Sequence, residues 1–219
     1  MSLLDKKYIV IKNILSKELV DIYYQYIKSK EVVFNNLINH GYINPFNTDY
    51  GVNGDNQCSN SYNVYGDILF DNILINLKSK IEKKTKLKLS EMYTYTRIYK
   101  QMDELKRHKD RGSCEISGTI NLGGDPWPIY IDPNPENGYD SDEGEYISSG
   151  EKGVEVLLEP GDCMLYMGME CEHWREPLLD NECVQVFLHY RQTKNMKPED
   201  EFDGRVSLGM PGYASKGHK

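Results

Sequence analysis

Apolar and polar positions along the chain change rhythm once, near residue 90. Before that point the spacing is mainly helical. Tyr8-Ile9-Val10-Ile11 is a short apolar run of strand type. Ser16 then stands where a helix N-cap belongs, with Leu15 and Val20 placed for a hydrophobic staple and Leu19, Ile22, Tyr23, Tyr26 and Ile27 at helical spacing. Residues 35–66, rich in Asn, Gly, Tyr and Asp, predict a long loop with little regular structure, and loops of that length commonly cover a functional opening. From Asp67 a second helix is predicted, with Phe70, Ile73, Leu74, Leu77 and Ile81 on one face. Its basic end, Lys78 to Lys88, reads as a solvated face that complements the helix dipole.

After Glu91 the pattern becomes short strands with turn punctuation: Tyr93–Lys100, Leu105–Asp110, Cys114–Leu122, Ile129–Ile131, Val154–Leu158, Asp162–Gly168, Cys171–Arg175 and Cys183–Arg191. Pro160-Gly161 marks one of the turns. The fold class is therefore α+β and mainly β, an antiparallel sandwich or jelly roll. Residues 1–90 read as a strand and helical support, 91–194 as the β-rich core, and 195–219 as a peripheral C-terminal extension with little apolar periodicity, all parts of one domain. Between Asp132 and Glu145 lies an acidic run without bases. It reads as a solvated insertion, with a second reading as an acidic lip for a cationic substrate.

Composition narrows the partners. Of 219 residues, 39% are hydrophobic and 27% charged, the balance of a folded globular chain. The net charge of −8, with Lys and Arg spread through both halves, argues against nucleic acid as the main partner, because phosphate binding needs a basic footprint. No stretch is long and apolar enough for a membrane span, and no basic-then-apolar leader opens the chain. Five cysteines without a CxxC pair fit reduced thiols better than a disulfide framework or a zinc knuckle, so a cytoplasmic setting is expected.

The chemistry concentrates in Lys106-Arg107-His108-Lys109-Asp110-Arg111. On an extended chain, His108 and Asp110 share a face, so an imidazole and a carboxylate can reach one ion. A third donor must come from elsewhere, and His173 in Glu172-His173-Trp174-Arg175 is the best placed; His40 has no partner at ligand spacing. Two histidines and one carboxylate that leave coordination positions open suit non-haem Fe(II) binding a co-substrate and O₂. The bland alternative makes His108 and Asp110 surface residues of a charged loop and His173 a core histidine beside Trp174.

The layout around these residues decides between the two. Arg97-Ile98-Tyr99 precedes His108-Lys109-Asp110, Glu159-Pro160-Gly161-Asp162 precedes Tyr166-Met167-Gly168, and His173-Trp174-Arg175-Glu176-Pro177 follows. With these motifs the span from Tyr8 to Arg191 resembles the 2-oxoglutarate and Fe(II)-dependent oxygenase superfamily, nearest its prolyl 4-hydroxylase-like branch. The resemblance implies a double-stranded β-helix (jelly roll) with an N-terminal strand and supporting helices. His108, Asp110 and His173 would be both metal ligands and catalytic centre, and Fe(II), 2-oxoglutarate and O₂ would take part, with succinate released. Because Asp110 is present, whereas related halogenases lack that carboxylate, the implied reaction is hydroxylation of a C–H bond in a peptidyl residue, proline by analogy, or in a small molecule.

The chain departs from the family at the anchor for the distal carboxylate of 2-oxoglutarate. Relatives place Arg or Lys about nine or ten residues after the distal histidine; here stand Glu182 and Cys183. Arg175, which shares the face of His173 on a strand, is the first replacement, and Arg97, inward with Tyr99, the second. By the same resemblance Tyr99 contacts the co-substrate, Asn121 and Gln185 add hydrogen bonds, and His189 sits near the metal. The missing last-strand cation keeps a second class open, a catalytically silent jelly-roll module that binds a protein or small ligand.

Overall fold

The computed structural model describes residues 2–216. A one-turn helix, α1 (Leu3–Lys6), is closed by a reciprocal Ser2 and Asp5 cap and leads into β1 (Tyr8–Ile11). Ser16 caps α2 (Lys17–Asn39), its Oγ accepting from the Leu19 N–H, as the sequence predicts. The buried face of α2 is rotated from the expected stripe: Val20, Tyr23, Ile27 and Phe34 are inside, whereas Leu19 and Ile22 are 40% and 56% exposed. The loop expected over 35–66 is shorter than predicted. Helix α2 runs on through Asn39, and the polar stretch holds two short strands, β2 (Val52–Asn53) and β3 (Tyr62–Tyr65). Asp67 Oδ1 accepts from the Leu69 and Phe70 N–H groups to start α3 (Ile68–Thr85), which buries Phe70, Ile73, Leu74, Leu77 and Ile81 as read from the sequence.

Ten strands follow: β4 (Leu89–Lys100), β5 (Leu105–His108), β6 (Ile116–Gly124), β7 (Ile129–Asp132), β8 (Tyr139–Asp140), β9 (Tyr146–Ile147), β10 (Val154–Val156), β11 (Cys163–Tyr166), β12 (Glu172–Arg175) and β13 (Glu182–Gln192). They form a seven-stranded sheet in the order β1-β11-β6-β13-β4-β3-β2 and a four-stranded sheet β10-β7-β12-β5, all pairs antiparallel, with β8 and β9 a separate hairpin. This is the jelly roll, with helices packed on the large sheet and Ile129, Ile131 and Val156 of the small sheet joining the same core as Ile116, Ile120 and Val186 of the large one. Alternation on β4 sends Ile98 into that core and Tyr93, Tyr95, Arg97 and Tyr99 toward a cavity. Across the large sheet the inward residues form rungs, Tyr93–His189–Ser117, Tyr95–Phe187–Thr119 and Arg97–Gln185–Asn121.

The C-terminal extension is not peripheral. Two 3₁₀ turns over Pro198–Gly204 bring Arg205 into full burial, where it pairs with Asp71 at 3.0 Å and donates to the carbonyls of Met92, Phe202 and Met210. A buried ion pair leaves no apolar rhythm in sequence, so the periodicity argument missed it. Residues 217–219 of that stretch lie outside the described ones. All five cysteines are buried and unpaired, and no described helix is long and apolar enough to cross a membrane.

Candidate metal centre

Antiparallel pairing of β5 with β12 sets His108 directly opposite His173. Their rings lie 4.2 Å apart between centroids. Asp110 follows β5 on extended chain, its N–H donating to the Gly168 carbonyl at 2.8 Å, and so returns to the same face as His108. Its Oδ1 is 3.6 Å from His108 Nε2 and 3.5 Å from His173 Nε2. One donor atom from each of the three lies within 4.8 Å of the others.

The hydrogen bonds around this set fix its chemistry. His108 Nδ1 lies 2.8 Å from the Lys106 carbonyl and His173 Nδ1 3.0 Å from the Cys171 carbonyl. A carbonyl only accepts, so each Nδ1 carries a proton and each Nε2 is the ring atom left to face the centre. Asp110 Oδ2 accepts from Ser117 Oγ at 2.5 Å, which leaves Oδ1 as the free donor. Burial pushes the Asp110 carboxyl up, but His173 and His108 outweigh it and hold the group well below the usual carboxylate range. For His108, burial works against the charged ring, and Asp110 with the Lys106 carbonyl overcomes it, so its pKa is raised. Gly168 is required by contact: a Cβ there would stand 2.4 Å from Asp110 Oδ2 and 2.5 Å from Ser117 Oγ. On its open side the triad faces a cavity of about 530 Å³.

No protein-family model and no curated protein sequence matches the chain. Solved structures do. A prolyl-4-hydroxylase from Pseudomonas putida aligns with TM-score 0.57 at 13% identity, over 87% of this chain and 95% of that one. HygX from Streptomyces hygroscopicus, solved with nickel and 2-oxoglutarate, aligns with TM-score 0.60 at 13% identity, over 87% and 85%. The non-haem α-ketoglutarate-dependent carbocyclase SnoK aligns with TM-score 0.63 at 12% identity, over 95% and 90%. The chain shares the jelly-roll fold of these structures.

Within this fold the residues expected to meet a co-substrate separate into two groups. Arg175 on β12 is 2% exposed and lies over the Trp127 ring at 4.9 Å. Its Nη1 donates to the Trp127 carbonyl at 2.6 Å, while Nε and Nη2 are buried with no partner among the described residues. Buried guanidinium donors without an acceptor call for an anion. The charge of Arg175 bears on both the Tyr99 hydroxyl and the Cys183 thiol, so it reaches toward the last strand. Glu182 turns away to Tyr24, Lys28 and Lys100. Tyr99 lines the cavity with its hydroxyl raised to about 12, by burial first. His189 lines it too, held neutral by burial with its pKa down to about 4 and its Nδ1 3.2 Å from Ser117 Oγ.

Three candidates are already engaged. Arg97 donates to Asn63 Oδ1, Cys58 Sγ, Tyr99 Oη, Asp55 Oδ2 and Gln57 Oε1, which occupies its whole fork. Asn121 is structural, donating to the Leu158 carbonyl at 2.7 Å and accepting from the Gly123 N–H at 2.8 Å. Gln185 is bonded to Thr119 and Cys183. Sequence reasoning missed Asp55, Ser117 and Asp203; Ser117, six residues before Gly123 on the long strand after the motif, was the most findable. A second donor group, Asp110, Cys114 and His189, shares Asp110 with the first. Burial pushes its Cys114 thiol far up, which makes it a poor ligand. None of the acids in the 132–145 run lines the cavity; the run meets the lining at the Pro135 carbonyl, which accepts from Lys109 Nζ.

Proposed function

We propose that this protein is an Fe(II)- and 2-oxoglutarate-dependent dioxygenase that hydroxylates a C–H bond and releases succinate and CO₂. The observation that carries the reading is the convergence of two imidazole Nε2 atoms and one carboxylate oxygen beside the unpartnered guanidinium of Arg175. Bound iron would supply the site at which 2-oxoglutarate and O₂ react. The chain's own residues do the rest. His108, Asp110 and His173 hold the ion on one side only, and Ser117 keeps Asp110 monodentate. Arg175 takes the distal carboxylate of 2-oxoglutarate, with Tyr99 at its flank, and the Trp127 ring and Leu105 keep water from that end.

The substrate is a peptidyl residue or a small molecule. Both kinds occur among the similar folds, as a prolyl-4-hydroxylase and as HygX solved with hygromycin B. The unpaired thiols suit a reducing cytoplasm. A silent binding module is disfavoured because the cation absent from the last strand has a replacement in Arg175.

The test is direct. Under anaerobic conditions, Fe(II) with 2-oxoglutarate should produce a weak visible charge-transfer band, and admission of air should yield succinate. Asp110→Ala should remove both, and Arg175→Ala should raise the concentration of 2-oxoglutarate needed while sparing Fe(II) binding. A wild-type protein that binds neither reagent would refute the proposal.

A further inference from the structure

Two segments without periodic pattern arrive at the cavity mouth and end in the same arrangement. From the turn between β2 and β3, Asp55 Oδ2 accepts from Arg97 Nη2 and from Tyr95 Oη. From the C-terminal extension, Asp203 accepts from Arg111 Nη1 and Nη2 at 2.8 and 2.6 Å and from Tyr65 Oη at 2.6 Å. Each clasp joins one aspartate, one arginine and one tyrosine. Each guanidinium also lies over rings, Arg97 at 5.2 Å from Tyr95 and Tyr99 and Arg111 at 4.8 Å from Tyr93.

The clasps settle the charge of the wall. Asp55 is held rigidly, its Oδ1 accepting from the Gln57 and Cys58 N–H groups at 2.9 and 2.8 Å. Both carboxyls lie below the usual range: burial raises them, and the paired arginines and hydrogen bonds overcome it. Lys109, the other cation of the lining, turns its Nζ to the Pro135 carbonyl in the hairpin segment. The tyrosine hydroxyls are committed as well, so the wall beyond the triad offers ring faces of Tyr65, Tyr95 and Phe187 and cancelled guanidinium planes. A charged group entering between the two clasps would give up water and find both guanidinium charges already matched, a loss that an uncharged group does not suffer.

We propose that Asp55 and Asp203 are specificity-determining residues: by cancelling Arg97 and Arg111 they make the cavity accept an uncharged, ring-bearing part of a substrate and reject carboxylates and zwitterions. The inference rests on the proposed reaction only for what happens to that substrate. It narrows the choice to a ring inside a peptide or a neutral small molecule, and it excludes free amino acids.

Benzamide, benzoate and benzylamine are ring probes that differ in charge, and their affinities for the full chain loaded with Zn(II) and 2-oxoglutarate can be measured by ligand-observed NMR. Wild type should bind benzamide at least about tenfold more tightly than either charged probe. Asp55→Asn and Asp203→Asn should each tighten benzoate about tenfold and leave benzamide unchanged. The double change Asp55→Asn with Arg97→Gln, which removes both charges, should restore the wild-type order even where a single variant folds poorly. Benzoate binding wild type as well as benzamide, benzamide failing to bind, or single variants that fold but keep the wild-type order would each overturn the inference. Loading of 2-oxoglutarate, followed separately, tells the two proposals apart: its failure alongside a preserved benzamide preference sinks the reaction and spares the specificity.

Discussion

Asp110 is held from two sides, by Ser117 at Oδ2 and by the Gly168 carbonyl at its own N–H. Partners that orient a ligand commonly carry about 10–100-fold in metal affinity. Ser117→Ala should therefore weaken Co(II) binding by a factor in that range, read from the visible absorption of the Co(II) form, with little change in urea stability. His189 gives a pH signature. Its pKa is depressed from 6.5 to about 4 in the folded chain, so between these values the unfolded chain takes up more protons. The stability it contributes is present above the unfolded value and is lost as pH falls toward the folded one, by up to about 3 kcal/mol. Urea titrations of the metal-free protein at pH 7 and pH 4 should show that His189→Gln loses less on acidification than wild type, the groups common to both cancelling. At this scale the sequence was legible where one side chain implies the next. His108 and Asp110 share a face by strand period, and Arg175 shares that of His173. Arg97 was not, because its partner Asp55 is brought by a loop from a distant part of the chain.

Elements were legible in proportion to their periodicity. Helix α3 and its start near Asp67 followed from spacing, and the strand runs after residue 90 followed from alternation and turns. The buried face of α2 did not, because apolar residues on two adjacent flanks compete in sequence and only the sheet beneath decides which is covered. The C-terminal extension failed for a different reason, since its anchor is a charge. Asp71 also accepts from the Thr94 N–H and hydroxyl and from the Gly209 N–H, so Arg205 closes a network joining α3, β4 and the extension. Removing one partner of a buried pair costs about 3–5 kcal/mol. Arg205→Met should lower the unfolding free energy by that amount in urea and make the last residues the first cut in limited proteolysis.

For the whole molecule, the order of strands was beyond sequence reasoning, because β1 pairs with β11 and β6 lies between β11 and β13, contacts that no local pattern encodes. Architecture was still accessible, since short strands with turns allow few layer arrangements. A ligand that binds only the folded chain raises stability by about 2.7 kcal/mol at one hundred times its dissociation constant. For a chain of this size that corresponds to about 5–10 °C in Tm. Scanning calorimetry with and without Co(II) should show such a rise, reversed by EDTA and absent in Asp110→Ala. The tether of each imidazole to a carbonyl two residues earlier in the chain has a last consequence. The cradle is finished before any ion arrives, so it has little means of choosing among visitors. Copper, nickel or zinc would lodge there more firmly than iron by their ordinary order of affinity. What a cell's metal supply delivers first would then decide how many copies work, and freshly purified protein should regain activity when stripped and refilled with ferrous iron.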